Sequence, residues 1–178
     1  MYDKLSDAVK QYGHSIRDVP KDGNCGLHAV IDQLHMRGIT RYTVTSLRQK
    51  AVDIVRANGL PDGFLDKGEH KDFADYIQKQ GTSGTWCDEP LLRSICTFIG
   101  KAITIIHDNG CQSVLRPQSD SSEIEDTDTP LVVGLMTDFH YVSLQPLSTS
   151  LITSTISHHI ETTQELGQSK TSEVTNIE

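Results

Sequence analysis

Asp22-Gly23-Asn24-Cys25-Gly26-Leu27-His28-Ala29 is the stretch on which the reading of this chain turns. Asp, Gly and Asn are turn formers, and Leu27, Ala29, Val30, Ile31, Leu34 and Met36 follow at a spacing that predicts a buried helix ending near Gly38. Cys25 therefore stands at a helix N-terminus. Unpaired backbone N–H groups and the positive end of the macrodipole favour a thiolate there, and the same groups can hold an anion that forms beside it. A lone cysteine is more often a small hydrophobe in a core, so a catalytic role needs a base as well. The candidate is His140, in Asp138-Phe139-His140-Tyr141-Val142-Ser143-Leu144, near the end of the last strand-like segment.

Between these two blocks lies Gly84-Thr85-Trp86, followed by an apolar helix and strand. In this order, over residues 15–146, the three blocks resemble the ovarian tumour (OTU) family of papain-like cysteine proteases. The resemblance implies a deubiquitinase that hydrolyses the isopeptide or peptide bond after the C-terminal glycine of ubiquitin. It implies that Cys25 is the nucleophile and His140 the base. The backbone N–H groups of Asp22, Gly23, Asn24 and Cys25 become the oxyanion hole, with the Asp22 side chain fixing that turn. Gly84, Trp86 and Tyr141 fall where a channel for the substrate's tail is expected, although the ordinary reading of the chain's single Trp is a core anchor. The implied partner is ubiquitin or polyubiquitin, or a ubiquitin-like modifier, met by a monomer. Neither a metal nor an organic cofactor is implied.

One departure from the family pattern stands two residues after the histidine, where many relatives carry Asp or Asn to orient the imidazole and this chain has Val142. Two readings stay open: an acid from elsewhere reaches His140, or the pair works as a dyad. Asp18 is preferred among Asp3, Asp7, Asp18 and Asp138. The same departure motivates a reading of another class, an OTU-like ubiquitin-binding module with weak or no turnover. His28, three residues beyond Cys25 on a helix, points along the helix side and is a poor rival base.

Composition narrows the class. A chain of 178 residues buries one good core. Its net charge of −8 argues against a nucleic-acid surface, and an acidic rim suits a basic protein partner instead. Cys25, Cys87, Cys96 and Cys111 show no C-x-x-C pair and no zinc-ligand spacing, so the cytosol or another reducing compartment is expected, the host's cytosol for a pathogen-encoded chain. Ile95 to Ile106, the longest apolar stretch, contains Lys101 and is too short to cross a bilayer, so no membrane partner is expected.

The predicted fold class is α+β, with helices packed around a small, mostly antiparallel sheet. A short N-terminal helix buries Leu5, Val9 and Tyr12, and Ile16 to Val19 runs extended into Pro20. Further helices are expected over Thr43–Ala57, with Ser46 and Gln49 at capping-box spacing, over Lys71–Gln80 and over Asp88–Ile99. Strands follow at Ala102–Ile106, Ser113–Leu115, Leu131–Met136 and His140–Leu144, the first pair joined by a turn at His107-Asp108-Asn109-Gly110. Gln118–Pro130 holds five acids and no base and reads as a solvated loop. Thirteen of the last 32 residues are Ser or Thr and none is aromatic, so the domain is expected over 1–146 and a tail or linker over 147–178.

Overall fold

The computed structural model describes residues 2–65, 69–118, 129–137 and 140–148. The chain divides into two units, Met1–Gln145 and Pro146–Glu178. Little of the second is described, so the expected tail lies outside the described residues beyond Ser148. Asp138 and the acids of the 118–130 loop, Asp120, Glu123, Glu125, Asp126 and Asp128, lie outside them too.

The first unit runs α1 (Asp3–Gln11), β1 (His14–Arg17), α2 (Cys25–His35), α3 (Val44–Asn58), α4 (Phe73–Gly81), α5 (Glu89–Ile99), β2 (Ile103–His107), β3 (Gln112–Leu115), β4 (Leu131–Leu135) and β5 (Tyr141–Pro146). The strands form one sheet in the order β1-β5-β4-β2-β3. β2 pairs antiparallel with β3 and parallel with β4, and β4 pairs antiparallel with β5. The result is an α+β fold around a mixed, mostly antiparallel sheet. Among the described residues no helix is long and apolar enough to cross a membrane.

The two-residue period of the strands sorts their side chains onto two faces. Ile103, Ile105, Leu131, Val133 and Tyr141 join the larger core with α2 to α5, whereas Ile106, Val142 and Leu144 join Leu5, Ala8 and Val9 of α1. The parity of β5 thus sends Val142 into the smaller core, fully buried, in a position an uncompensated carboxylate would occupy only at high cost.

Helix starts are set by side chains that replace missing backbone partners. Asp72 and Asp88 cap α4 and α5 by accepting from Asp75 N and Leu91 N. At α3 the cap is Thr43, which exchanges bonds with Ser46 at 2.9 and 3.1 Å. The expected pairing of Ser46 with Gln49 gives way to it, and the Gln49 amide donates to Asp53 at 2.9 Å instead. Tyr12 also departs from expectation: α1 stops at Gln11, so the ring leaves the helical register, is 40% exposed and donates its hydroxyl to Gly110 O at 2.9 Å.

Two contacts, one buried and one at the surface, fix α2 against the sheet. Gln33 donates to Ser143 Oγ at 2.8 Å and to Leu144 O at 2.5 Å, while its Oε1 accepts from Val132 N at 3.0 Å. Arg17 of β1 grips Asp32 through Nε and Nη2 at 2.8 and 2.9 Å, the two-pronged geometry that suits a carboxylate. The helix that begins with Cys25 is therefore held in register with the strand that begins just after His140.

Candidate active site

Cys25 is the first residue of α2 and is 2% exposed. The Asn24 side chain makes no cap bond, so the first-turn amides are not covered by it. The Asp22–Asn24 turn is closed from within: Asp22 Oδ1 accepts from Asn24 N at 2.8 Å and Asp22 O accepts from Cys25 N at 3.1 Å. The Asn24 and Cys25 amides, two of the four expected to face an oxyanion, are thus spent on Asp22. Asp22 closes the turn through its side chain and its carbonyl.

β5 supplies the facing wall. The Tyr141 amide donates to Cys25 Sγ at 3.4 Å, which brings the His140–Tyr141 junction to the thiol. His140 is 6% exposed, and its Nε2 lies 3.5 Å from Asp18 Oδ1. That separation is an ion-pair distance, and Nε2 has no hydrogen-bond partner among the described residues. Asp18 Oδ1 is already engaged by Tyr2 Oη at 2.6 Å and by Val19 N at 3.0 Å. The Tyr2 hydroxyl is the largest influence holding the Asp18 carboxyl below its ordinary range; His140 adds to it.

The expected thiolate is not favoured in this resting arrangement. Burial pushes the Cys25 thiol up; the amides of Tyr141 and Gly26 pull against it, and the Asp22 carboxylate adds to the rise. A helix terminus lowers a thiol's pKa when the sulfur keeps some solvent, and here desolvation exceeds that effect. Burial raises Asp22 as well, but hydrogen bonds from Asn24 and His28 overcome it and hold the carboxyl below its ordinary range. His28 reaches back to Asp22, with Nε2 3.3 Å from Oδ2, and so braces the turn.

Gly84, Trp86 and Tyr141 all meet this site. Gly84, at φ +88°, donates its amide to Asn24 Oδ1 at 3.0 Å. Its carbonyl presses on the turn so closely that a Cβ on Gly23 would lie 1.5 Å from Gly84 O. Trp86 stacks on the ring of Tyr141 at 5.6 Å between centroids and 20° between planes. It also borders an open groove of about 660 Å³ with His70, Gln80, Thr85 and Asp88. Of the other acids weighed for His140, only Asp18 has an ion-pair contact with it among the described residues.

Sequence reasoning missed two residues. Arg48 is 3% exposed and bonds the turn around Cys25; Gln33 is 1% exposed and registers α2 on the sheet. Both carry a readable signal, because Arg48 shares the i, i+4, i+7, i+11 stripe with Val44, Ala51 and Val55, and Gln33 lies beside Val30 and Leu34 on the apolar face of α2. A polar side chain on an inward stripe must find partners or it destabilises the fold.

A five-stranded α+β domain in which a helix-terminal cysteine meets the amide following a histidine just ahead of a strand defines a class, that of papain-like thiol hydrolase folds. Within that class, a family model described as OTU-like cysteine protease matches residues 20–142, and the chain belongs to this family. It is similar to the "Putative ubiquitin thioesterase 232R" of Invertebrate iridescent virus 3, with 24% identity over 159 residues, which is 82% of this chain. The chain spans only 18% of that relative's length. Among solved structures it resembles the OTUD1 OTU domain, with TM-score 0.57 and 18% identity, over 80% of this chain and 93% of that one. It also resembles an ovarian tumour domain in complex with ubiquitin, with TM-score 0.57 and 21% identity, over 74% and 69%. The viral OTU domain protease of Dera Ghazi Khan virus aligns with TM-score 0.56 and 16% identity, over 76% and 82%. At these identities the likeness carries the fold.

Proposed function

We infer that this chain is a cysteine-type deubiquitinase in which Cys25 attacks the carbonyl of ubiquitin's terminal glycine. The observation that carries the reading is the sequence of contacts Asp18–His140–Tyr141–Cys25, which ties a carboxylate, an imidazole and a thiol along the leading edge of β5. The family and the solved relative in complex with ubiquitin support the substrate class.

With Nε2 turned toward Asp18, Nδ1 is the ring atom left for the thiol. His140 takes the Cys25 proton, the thiolate forms the S–C bond, and those amides of the turn and the first turn of α2 that are not spent on Asp22 or Asn24 hold the oxyanion. Collapse of the tetrahedral species breaks the C–N bond, and His140 gives its proton to the departing lysine amine. Water, deprotonated by His140, then cleaves the thioester and returns the thiol. Asp18 stabilises the imidazolium that exists between these proton transfers. Asp22 belongs to the machinery through the turn's shape.

The buried, up-shifted thiol favours a second reading, a ubiquitin-binding module with weak turnover. Incubating the chain with ubiquitin bearing a C-terminal electrophile separates the two. The protease reading expects a covalent adduct by mass, none with Cys25→Ala and slowed formation with His140→Ala. Binding without an adduct favours the module, and the absence of both contradicts a ubiquitin function. Ubiquitin-like modifiers carrying the same electrophile test the choice of substrate within the protease reading. The domain limits, 1–146 with a tail from 147, are part of the same proposal.

A further inference from the structure

We propose that Arg48 is the positioning residue that locks the anion-holding turn of Cys25 to the Gly81–Thr85 loop, and so sets the geometry for acyl transfer. The proposal rests on the reading of Cys25 as an acyl-accepting nucleophile.

The guanidinium lies in the interior between two chain segments that have no secondary structure of their own. Nη2 donates to Asn24 Oδ1 at 2.9 Å, to Thr85 O at 2.7 Å and, at the limit of bonding distance, to Gly23 O at 3.5 Å; Nη1 donates to Gln80 O at 2.8 Å. Gln80, at the end of α4, and Thr85 bracket the loop, and Gly23 and Asn24 form the turn. Asn24 Oδ1 is a shared node, because it also accepts from Gly84 N at 3.0 Å. One planar cation thus joins both ends of the loop to the turn. An ammonium, with one nitrogen, has no fork with which to reach Gln80 O and the Thr85–Asn24 pair together.

The close approach gives this tie its purpose. Gly84 O sits where a Cβ of Gly23 would be, so the two carbonyl-rich segments are pressed edge to edge. Three backbone carbonyls and a side-chain carbonyl converge there, and their negative ends repel unless a cation lies among them. Turning them toward Arg48 fixes the peptide planes of the turn, and the orientation of a peptide plane decides where its N–H points. Burial pulls the guanidinium below its ordinary pKa, and Cys87, Asp22 and Asp88 act against that pull.

Acyl transfer and alkylation at the same sulfur distinguish this role from a purely structural one. An ester acylates a thiol through an oxyanion, whereas iodoacetamide displaces iodide without forming one. The test uses the full chain in a Cys111→Ser background, since Cys111 is the exposed thiol. The p-nitrophenolate burst from p-nitrophenyl acetate measures acylation of Cys25, and peptide mass spectrometry measures its carbamidomethylation. For Arg48→Lys the burst rate is expected to fall about 100-fold, as on loss of an oxyanion donor, with alkylation within about threefold of the parent. Asn24→Ala, which keeps the buried cation and removes only its side-chain acceptor, is expected to show the same split at about 10-fold. Equal losses in both reactions, or an Arg48→Lys burst within threefold of the parent, would overturn the proposal. If Arg48→Lys does not fold, the Asn24→Ala split decides by the same criteria. Because the ester contains no ubiquitin, a parent that bursts but leaves ubiquitin conjugates intact overturns the ubiquitin reading and leaves this assignment standing.

Discussion

The two sides of the candidate active site are built to different standards. On the cysteine side several bonds interlock around the turn: Asp22, with a 47% exposed side chain, closes it, buried Asn24 bridges to Gly84, and buried Arg48 joins them to α4 and Thr85. On the histidine side a single carboxylate with a 56% exposed side chain stands 3.5 Å from Nε2 and accepts its shortest hydrogen bond from the Tyr2 hydroxyl. The difference follows the chemistry. In the proposed mechanism charge develops on the substrate's oxygen at the cysteine side, where donors must be fixed beforehand to be effective. The histidine needs only an orientation, and solvent can share in stabilising its charge.

Substitutions can break or sharpen this contrast. Cys25→Ala is expected to remove turnover entirely, a loss of about 10⁴-fold or more in kcat that stopped-assay product counts would register. Gly23→Ala comes next, since its methyl would sit 1.5 Å from Gly84 O. It is expected to lower kcat by about 100-fold and to cost about 1–3 kcal/mol in urea unfolding. Wild-type turnover by Gly23→Ala would show the lattice to be softer than its contacts imply. Asp18→Asn keeps the shape and removes the charge; kcat/KM is expected to fall about 10-fold, well short of the about 10⁴-fold found for a buried triad aspartate.

Tyr2→Phe has the smallest effect, about two- to threefold at neutral pH, and shows itself in the pH profile. The Tyr2 hydroxyl is the main cause of the lowered Asp18 pKa, and a lowered carboxyl keeps its charge, and its contribution to the folded state, until pH falls through the lowered value. Without the hydroxyl the carboxyl protonates at higher pH, so the acid limb of kcat/KM should move upward. An unmoved limb would mean that Asp18 does not govern it. For the thiol the sign is opposite. Burial raises Cys25 above its ordinary value of 9.0, so its alkylation rate in the substrate-free chain should still be rising with pH beyond that value.

How much of this was legible in the sequence depended on what each residue touches. The Cys25 turn and His140, which stands one residue ahead of β5 where the reading had placed it at the strand's start, could be read because turn formers, a helix stripe and an alternating strand are local patterns. Asp18 was preferred among several acids, and the fold brings it to His140 because β1 lies beside β5 in the sheet. The meaning of Val142 was not legible: its face is decided by the parity of β5, which buries it against α1. The burial of the thiol was not legible either, because helix position is visible in a sequence and desolvation is not. The roles of Arg48 and Gln33 were not legible for a related reason: apart from Arg37, which donates to Gln33, their partners lie 24 to 111 residues away along the chain.

The contrast between a rigid cysteine side and a loosely held histidine side is the central claim, and one comparison tests it directly. kcat/KM on a ubiquitin C-terminal fluorogenic amide should be measured for Arg48→Lys and Asp18→Asn side by side. About 100-fold loss for the first and about 10-fold for the second is the predicted order. A larger loss at Asp18 than at Arg48 would contradict the account, and would place the demand for precision at the histidine.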